Sequence, residues 1–337
     1  MNVLFVSDVS IKNVIGGGER VLYEKSTGLR KRGHAVHVFT RRLPVHVTDH
    51  ESIDGVEEWR YSVDTSNGLS FFRSTIVNGK KLFDFLEGRY AFQFINFHQP
   101  FSAFSVLRSP LSRSIKKIYT CHSLSFEEYR SRNKVPPGFI GKMGYLLNVQ
   151  MRKYIEGRCL RDVQRITVES LFTREKLRHS YGISPQKVTI VPGGVDLKRF
   201  SNSGDKAAIR QRLNISADRF VLFTVRNLVA RMGLDNLIHA MRDVIKGCHD
   251  VLLVVGGEGP LREELLSLVM EMNLEKYVSL VGFIPEDDLP DYYRMADIFV
   301  LPTLELEGFG LVTLEAMASA VPVLGTPVGG TVEILSR

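Results

Sequence analysis

Short runs of β-branched and apolar residues alternate with stretches of helical periodicity along the whole chain, and this alternation points to βαβ units on parallel sheets. The first run, Val3 to Ser7, leads through the turn Gly16-Gly17-Gly18 into Glu19 to Arg32. There Val21, Leu22, Lys25 and Leu29 fall at helical intervals, Gly33 ends the helix, and Ala35 to Thr40 reads as the next strand. Further strands are predicted at Phe92 to Asn96, Lys117 to Thr120, Arg165 to Glu169 and Val188 to Val191, with a long helix from Met143 to Asp162. The stretch Arg42 to Phe72 reads as first-domain loop with nothing in it that fixes a ligand.

At Val191-Pro192-Gly193-Gly194-Val195-Asp196 the proline and paired glycines favour a hinge, and a second α/β series begins after it. Its predicted strands are Phe220 to Val225, Val251 to Val255, Val278 to Val281, Ile298 to Leu301 and Val321 to Leu324. A length of 337 residues accommodates two domains of ordinary size. The fold class is therefore α/β: two Rossmann-like doubly wound domains, residues 1–192 and 193–337, facing each other across a cleft, with ligands at the C-terminal strand ends.

Charge divides along the same line. Residues 1–200 hold 32 Lys and Arg against 18 Asp and Glu, whereas residues 201–337 hold 12 against 19. A basic half can attract phosphorylated ligands or anionic lipid, and scattered surface lysines give the same count. No helix-turn-helix, zinc-finger or RNP-like aromatic pattern accompanies the basic residues, so nucleic acid is not an expected partner. Three scattered cysteines exclude a disulfide framework, and the first residues form no signal peptide. The expected location is the cytoplasm, with a peripheral position at the inner face of a membrane as the open alternative. Between Phe101 and Arg178 there are 16 Lys and Arg against 6 Asp and Glu. Within that stretch Met143, Leu146, Leu147, Val149, Gln150 and Tyr154 run beside Lys142, Arg152, Lys153 and Arg158. This pattern fits a peripheral contact with anionic lipid, and equally a core-packed helix with a solvated basic face.

Three motifs carry chemistry. Gly16-Gly17-Gly18-Glu19, between a strand and a helix, allows close backbone approach to a phosphate; a plain tight turn would look the same. It is neither a Walker A loop nor a Gly-x-Gly-x-x-Gly fingerprint. Arg226 and Arg231 stand at and after a strand end, where two guanidinium forks suit a diphosphate, though solvated loop arginines are common there. Glu307 and Glu315 lie eight residues apart in EGFGLVTLEAMASAVPVLGTPVGG. With a helix starting near Gly310, backbone N–H groups of Phe309, Gly310 and Leu311 point at an anion between two carboxylates that accept hydroxyl hydrogen bonds. A phosphate flanked by sugar hydroxyls fits that arrangement.

The Glu307-x7-Glu315 pair resembles the hallmark of glycosyltransferase family 4, retaining enzymes of the GT-B fold. GGGE at Gly16 to Glu19, RGHAVHVFT at Arg32 to Thr40, VPGGVDLKRF at Val191 to Phe200, RNLVARMG at Arg226 to Gly233, GGEGP at Gly256 to Pro260 and VGFIP at Val281 to Pro285 agree in order and spacing. The resemblance implies a nucleoside-diphosphate-sugar donor on the second domain, and a glycan or lipid-linked acceptor on the first, in cell-envelope polysaccharide or glycolipid synthesis. It implies that Arg226 and Arg231 hold the diphosphate, although the family more often has Lys at the second position. Glu315 would take the ribose hydroxyls, and Glu307 the hexose hydroxyls, with the backbone of Phe309, Gly310 and Leu311 helping. Gly16 and Gly17 would close over the phosphates, His122 would reach the transferred sugar, and the backbone at Phe283 and Ile284 would line the base pocket.

No Asp-x-Asp occurs, in keeping with metal-independent transfer and no cofactor, and the pairs His34/His37 and His46/His50 lack a recognised ligand spacing. Relative to the family the chain ends several tens of residues early, at Arg337. A truncated nucleotide-sugar- or glycan-binding protein without turnover is therefore the alternative reading. A two-carboxylate glycosidase has no need of the surrounding anion-binding groups, and the acid/base pair of a sugar-nucleotide epimerase is not identifiable.

Overall fold

A computed structural model describes residues 1–12 and 16–336, so Ile15 at the entry to the Gly-rich turn lies outside the described residues. The chain divides into two compact units, Met1–Val191 and Pro192–Arg337. In the first unit the elements are β1 (Asn2–Val6), α1 (Gly17–Lys31), β2 (Ala35–Arg41), β3 (His50–Ile53), β4 (Val56–Tyr61), α2 (Gly68–Tyr90), β5 (Phe94–Phe97) and α3 (Pro100–Leu107). They continue with β6 (Lys116–Cys121), α4 (Ser125–Arg132), α5 (Phe139–Asp162), β7 (Arg165–Val168), α6 (Leu171–Tyr181) and β8 (Val188–Ile190). The sheet order is β3-β4-β2-β1-β5-β6-β7-β8, parallel except for the edge strand β3. Winding reverses between β1 and β5, so the loops after those strands diverge.

The second unit comprises α7 (Lys206–Arg212), β9 (Phe220–Val225), α8 (Leu234–Gly247), β10 (Val251–Gly256), α9 (Arg262–Glu271) and β11 (Val278–Gly282). It then continues with α10 (Leu289–Met295), β12 (Ile298–Leu301), α11 (Leu311–Ala318), β13 (Val323–Gly325) and α12 (Thr331–Leu335). Its five strands are all parallel, in the order β11-β10-β9-β12-β13, and here the reversal falls between β9 and β12. Both sheets are covered by helices, which is why their central strands read as near-continuous apolar runs.

Several sequence expectations need correction: the long helix starts at Phe139 rather than Met143, β5 starts at Phe94 rather than Phe92, and two larger differences follow. Arg42 to Phe72 is not simply loop: it contains β3, β4 and the start of α2. The strand β4, VEEWRY, hides its character because two of its buried positions carry Glu58 and Arg60, joined through Arg60 Nε and Glu58 Oε1 at 2.6 Å. Glu58 also accepts from Ser10 Oγ and the Ile11 amide, so the buried pair ties the loop after β1 to the sheet. The last strand begins at Val323, not Val321. Ala320 takes a left-handed φ of 56°, and the Val321 amide donates back to Ala316 O, so these residues close α11.

The helix α5 packs one side inward through Tyr145 and Val149 and, further along, Ile155 and Leu160. Val149 therefore faces the core rather than lipid. Arg152 lies over the rings of Phe101 and Tyr129, and Lys153 over Phe126. On the inward side Glu156 is fully buried, accepting from Tyr181 Oη and the Ser125 amide, and burial pushes its pKa up from 4.5 to about 7. The folded state thus holds this proton more tightly than the unfolded chain, so stability falls as pH rises from about 4.5 through 7, and the loss is complete above that. At 1.36 kcal/mol per pH unit the effect is at most about 3 kcal/mol. Glu156→Gln, which keeps the neutral shape, should match the wild type within about 1 kcal/mol in urea unfolding at pH 5 and exceed it by about 2 kcal/mol at pH 8.5. An equal difference at both pH values would contradict this account.

Candidate functional site

In the second unit the loops after β9 and β12, on either side of the winding reversal, clasp one another. Leu304 N–H donates to Arg231 O at 2.9 Å, and Arg231 Nη1 donates to Leu306 O at 3.1 Å. Gly233 has a left-handed φ of 66°, and a Cβ there would sit 2.2 Å from Pro302 O, so both its conformation and the close approach call for glycine. Arg226, on the residue after β9, reaches across the reversal. Its Nη2 donates to Glu307 Oε2, to Thr303 Oγ1 at 3.2 Å and to Met232 Sδ at 3.0 Å. Thr303 Oγ1 also donates to Glu307 at 3.2 Å. The side chains of Arg226 and Glu307 are only 7% and 10% exposed, which makes this an ion pair inside the fold rather than a surface contact.

Beyond Glu307 the chain turns into α11, whose N-cap is Gly310 with φ 90° and no side-chain cap. The first amides of α11 have no partner within the helix, and its dipole favours an anion there. Two buried hydroxyls, Thr313 Oγ1 and Thr331 Oγ1, flank Gly310 and lack hydrogen-bond partners among the described residues. A second glycine pair holds the Glu307 loop from behind: Gly330 N–H donates to Glu307 O at 2.9 Å. A Cβ on Gly193 would collide with Leu311 and Phe309, so the hinge glycine lies against the mouth of the helix.

Glu315 sits inside α11 and is buried, with Oε2 accepting from Tyr293 Oη of α10 at 2.7 Å. Arg226, Arg231, Glu307, Phe309, Gly310, Leu311 and Glu315 thus all belong to the two loops and the helix beside the reversal. Phe283 and Ile284 follow β11 at the far side of the sheet; Phe283 is exposed, whereas Ile284 packs in the core against Gly256.

In the first unit the corresponding residues also sit at C-terminal strand ends. Gly16 is the N-cap of α1 and Gly17 its first residue, and a Cβ on Gly18 would lie 3.7 Å from the His122 ring. His122, after β6, has Nδ1 3.3 Å from Glu169 Oε1, after β7. Its Nε2 is 3.0 Å from Nδ1 of His98, after β5. Burial, with the neighbouring His122 and Lys25, holds His98 well below the usual histidine range, so it is neutral at physiological pH.

Thr303, Tyr293, His98 and Glu169 were missed by sequence reasoning. Each acts through a contact with a residue far away in sequence and belongs to no local spacing rule. Only the position of His98 and Glu169 just past strand ends could have drawn attention to them.

The pattern described as Glycosyltransferase Family 4 matches residues 15–199, and that described as Glycosyl transferases group 1 matches residues 205–337. A GDP-mannose-dependent alpha-(1-6)-phosphatidylinositol monomannoside mannosyltransferase of Mycolicibacterium smegmatis is 34% identical over 179 residues, 51% of this chain and 46% of that protein. The chain spans about half the length of the curated relatives it matches at this level of identity. Among solved structures, sucrose-phosphate synthase of Thermosynechococcus elongatus superposes with a TM-score of 0.81 at 23% identity, over 98% of this chain and 82% of that one. Anabaena HepE in complex with UDP-glucose superposes with a TM-score of 0.74 at 19% identity, over 99% and 82%. These two likenesses establish a shared GT-B fold.

Removing one member of the buried Arg226–Glu307 pair leaves the other charge uncompensated, at a cost of about 3 kcal/mol. Arg226→Met and Glu307→Gln should each lose that much in urea unfolding, and the double variant should lose at least about 1 kcal/mol less than the sum. Strictly additive losses would mean that the two side chains do not meet.

Proposed function

The chain belongs to glycosyltransferase family 4 and has the GT-B fold, and on that premise we propose that it transfers a hexose from a nucleoside-diphosphate sugar to a glycan or lipid-linked acceptor with retention at the anomeric carbon. The observation that carries the reading is the convergence of Arg226, Arg231, the N-terminus of α11 and Glu315 beside the β9/β12 reversal. Two guanidinium groups and a helix N-terminus complement a diphosphate, and a carboxylate within the same helix complements a diol. The UDP-glucose complex of the Anabaena protein supports a donor of this class. The lipid named as acceptor of the Mycolicibacterium smegmatis enzyme supports a lipid-linked acceptor and a role in cell-envelope synthesis. The buried thiols of Cys121 and Cys159, both unpaired, fit action in the reducing cytoplasm.

In this reading the diphosphate takes over Arg226 from Glu307 and frees that carboxylate to bind hexose hydroxyls. Arg231 and the amides of Phe309, Gly310 and Leu311 hold the phosphates, and Tyr293 fixes Glu315 for the ribose. The bond between the anomeric carbon and the β-phosphate oxygen breaks as the acceptor oxygen bonds to the same face of that carbon. The acceptor's proton passes to the departing phosphate, so no protein nucleophile is needed. Negative charge develops on that phosphate, where the two arginines and the helix dipole stabilise it and make a divalent cation unnecessary. The Phe283–Ile284 backbone serves the base, and the residues proposed for phosphate and sugar contacts in the first unit are Gly16, Gly17 and His122.

Calorimetric titration with UDP, GDP and ADP and their sugars tests this, followed by donor hydrolysis assays with EDTA present. One nucleotide should bind, Arg226→Ala should weaken it by about tenfold or more, and Glu307→Ala should cut hydrolysis by about 100-fold. Tight binding with no turnover on any acceptor or water would point to the nucleotide-sugar-binding alternative. Absence of binding by all three nucleotides would overturn the proposal.

A further inference from the structure

The first half of α5 shows an apolar stripe to solvent. Phe139 is 78% exposed, Ile140 87% and Leu147 63%, with Met143 and Leu146 exposed between them. These residues share one side of the helix, opposite the inward-facing Tyr145 and Val149. Exposing this many large apolar side chains in one strip is unfavourable unless something covers them. Charge identifies the occupant. From Tyr129 to Ile155 the chain holds six Lys and Arg and no Asp or Glu. Lys142 flanks the stripe next to Leu146, and Lys134 and Arg130 lie just before the Pro136-Pro137 turn that leads into the helix. All three are exposed, and among the described residues none of them has an ion-pair partner. Cations thus precede the stripe and flank one of its edges, an arrangement that suits an anionic layer with an apolar interior. Among the described residues no helix is long and apolar enough to cross a membrane, so contact through this face would be peripheral.

We infer that residues 130–147 are a docking surface for an anionic membrane, with Phe139, Ile140 and Leu147 entering the headgroup boundary and Arg130, Lys134 and Lys142 meeting lipid phosphates. The inference rests on the first unit's surface alone and stands or falls separately from the donor site of the second unit.

Co-sedimentation of the full chain with sucrose-loaded vesicles tests it, using phosphatidylcholine alone and phosphatidylcholine mixed with phosphatidylglycerol. Partition should favour the mixed vesicles by at least about tenfold and fade at high salt. Lys134→Gln with Lys142→Gln should weaken it by about 30-fold, at about 1 kcal/mol per lysine, and Phe139→Ser with Ile140→Ser by about tenfold or more. Because these side chains are exposed, both double variants should keep the wild-type melting temperature and nucleotide affinity, which separates loss of docking from misfolding or a failed donor site. Equal recovery with both vesicle types, or unchanged partition of both double variants, would overturn the inference. So would failure to bind vesicles together with a dimer in light scattering that Phe139→Ser abolishes, since the stripe would then be covered by a second copy.

Discussion

The buried contact between Arg226 and Glu307 is the interaction on which the arrangement of the candidate site depends. In a parallel sheet every strand opens its C-terminal end on the same edge, and at the β9/β12 reversal the two following loops meet there before their helices continue. One side chain from each loop joins them, with Thr303 and Met232 completing the cradle around the guanidinium. Without a ligand, a buried cation needs a buried anion. The pair therefore keeps the two loops together and charge-balanced, and in the proposed reaction a diphosphate would replace its anionic half.

This balance explains the company of glycines around it. Gly233, Gly329 and Gly330 let neighbouring backbone approach the two loops more closely than any side chain would permit. The geometry of the loops that carry Arg226, Arg231 and the mouth of α11 is set by backbone contacts, and these side chains are mounted on it. In the first unit a comparable cluster gathers at strand ends: Gly18 lies against the His122 ring, His122 Nε2 is 3.0 Å from His98 Nδ1, and His122 Nδ1 is 3.3 Å from Glu169 Oε1.

Much of this was legible in the sequence. The central strands are covered by helices on both faces, so Val3 to Val6 or Phe220 to Val225 could hardly be anything else, and Gly310 marked the start of its helix correctly. The GT-B assignment and the family followed from motifs in register. Illegible were the elements whose inward positions are polar: β4 carries Glu58 and Arg60 into the interior as a bonded pair, and no periodicity rule expects a carboxylate and a guanidinium in a core. Contacts between motifs were equally hidden. Arg226 and Glu307 were each singled out, yet 81 residues separate them, and nothing in either motif says that they touch. Tyr293 reads as an ordinary helical aromatic until its hydroxyl is seen on Glu315.

The most direct test of the central claim is a crystal structure of the chain with its bound nucleoside diphosphate. The account requires the β-phosphate within hydrogen-bond distance of the Gly310 and Leu311 amides, with the Arg226 guanidinium turned from Glu307 onto the phosphates. A nucleotide bound away from the loops after β9 and β12, with the Arg226–Glu307 pair intact, would contradict it.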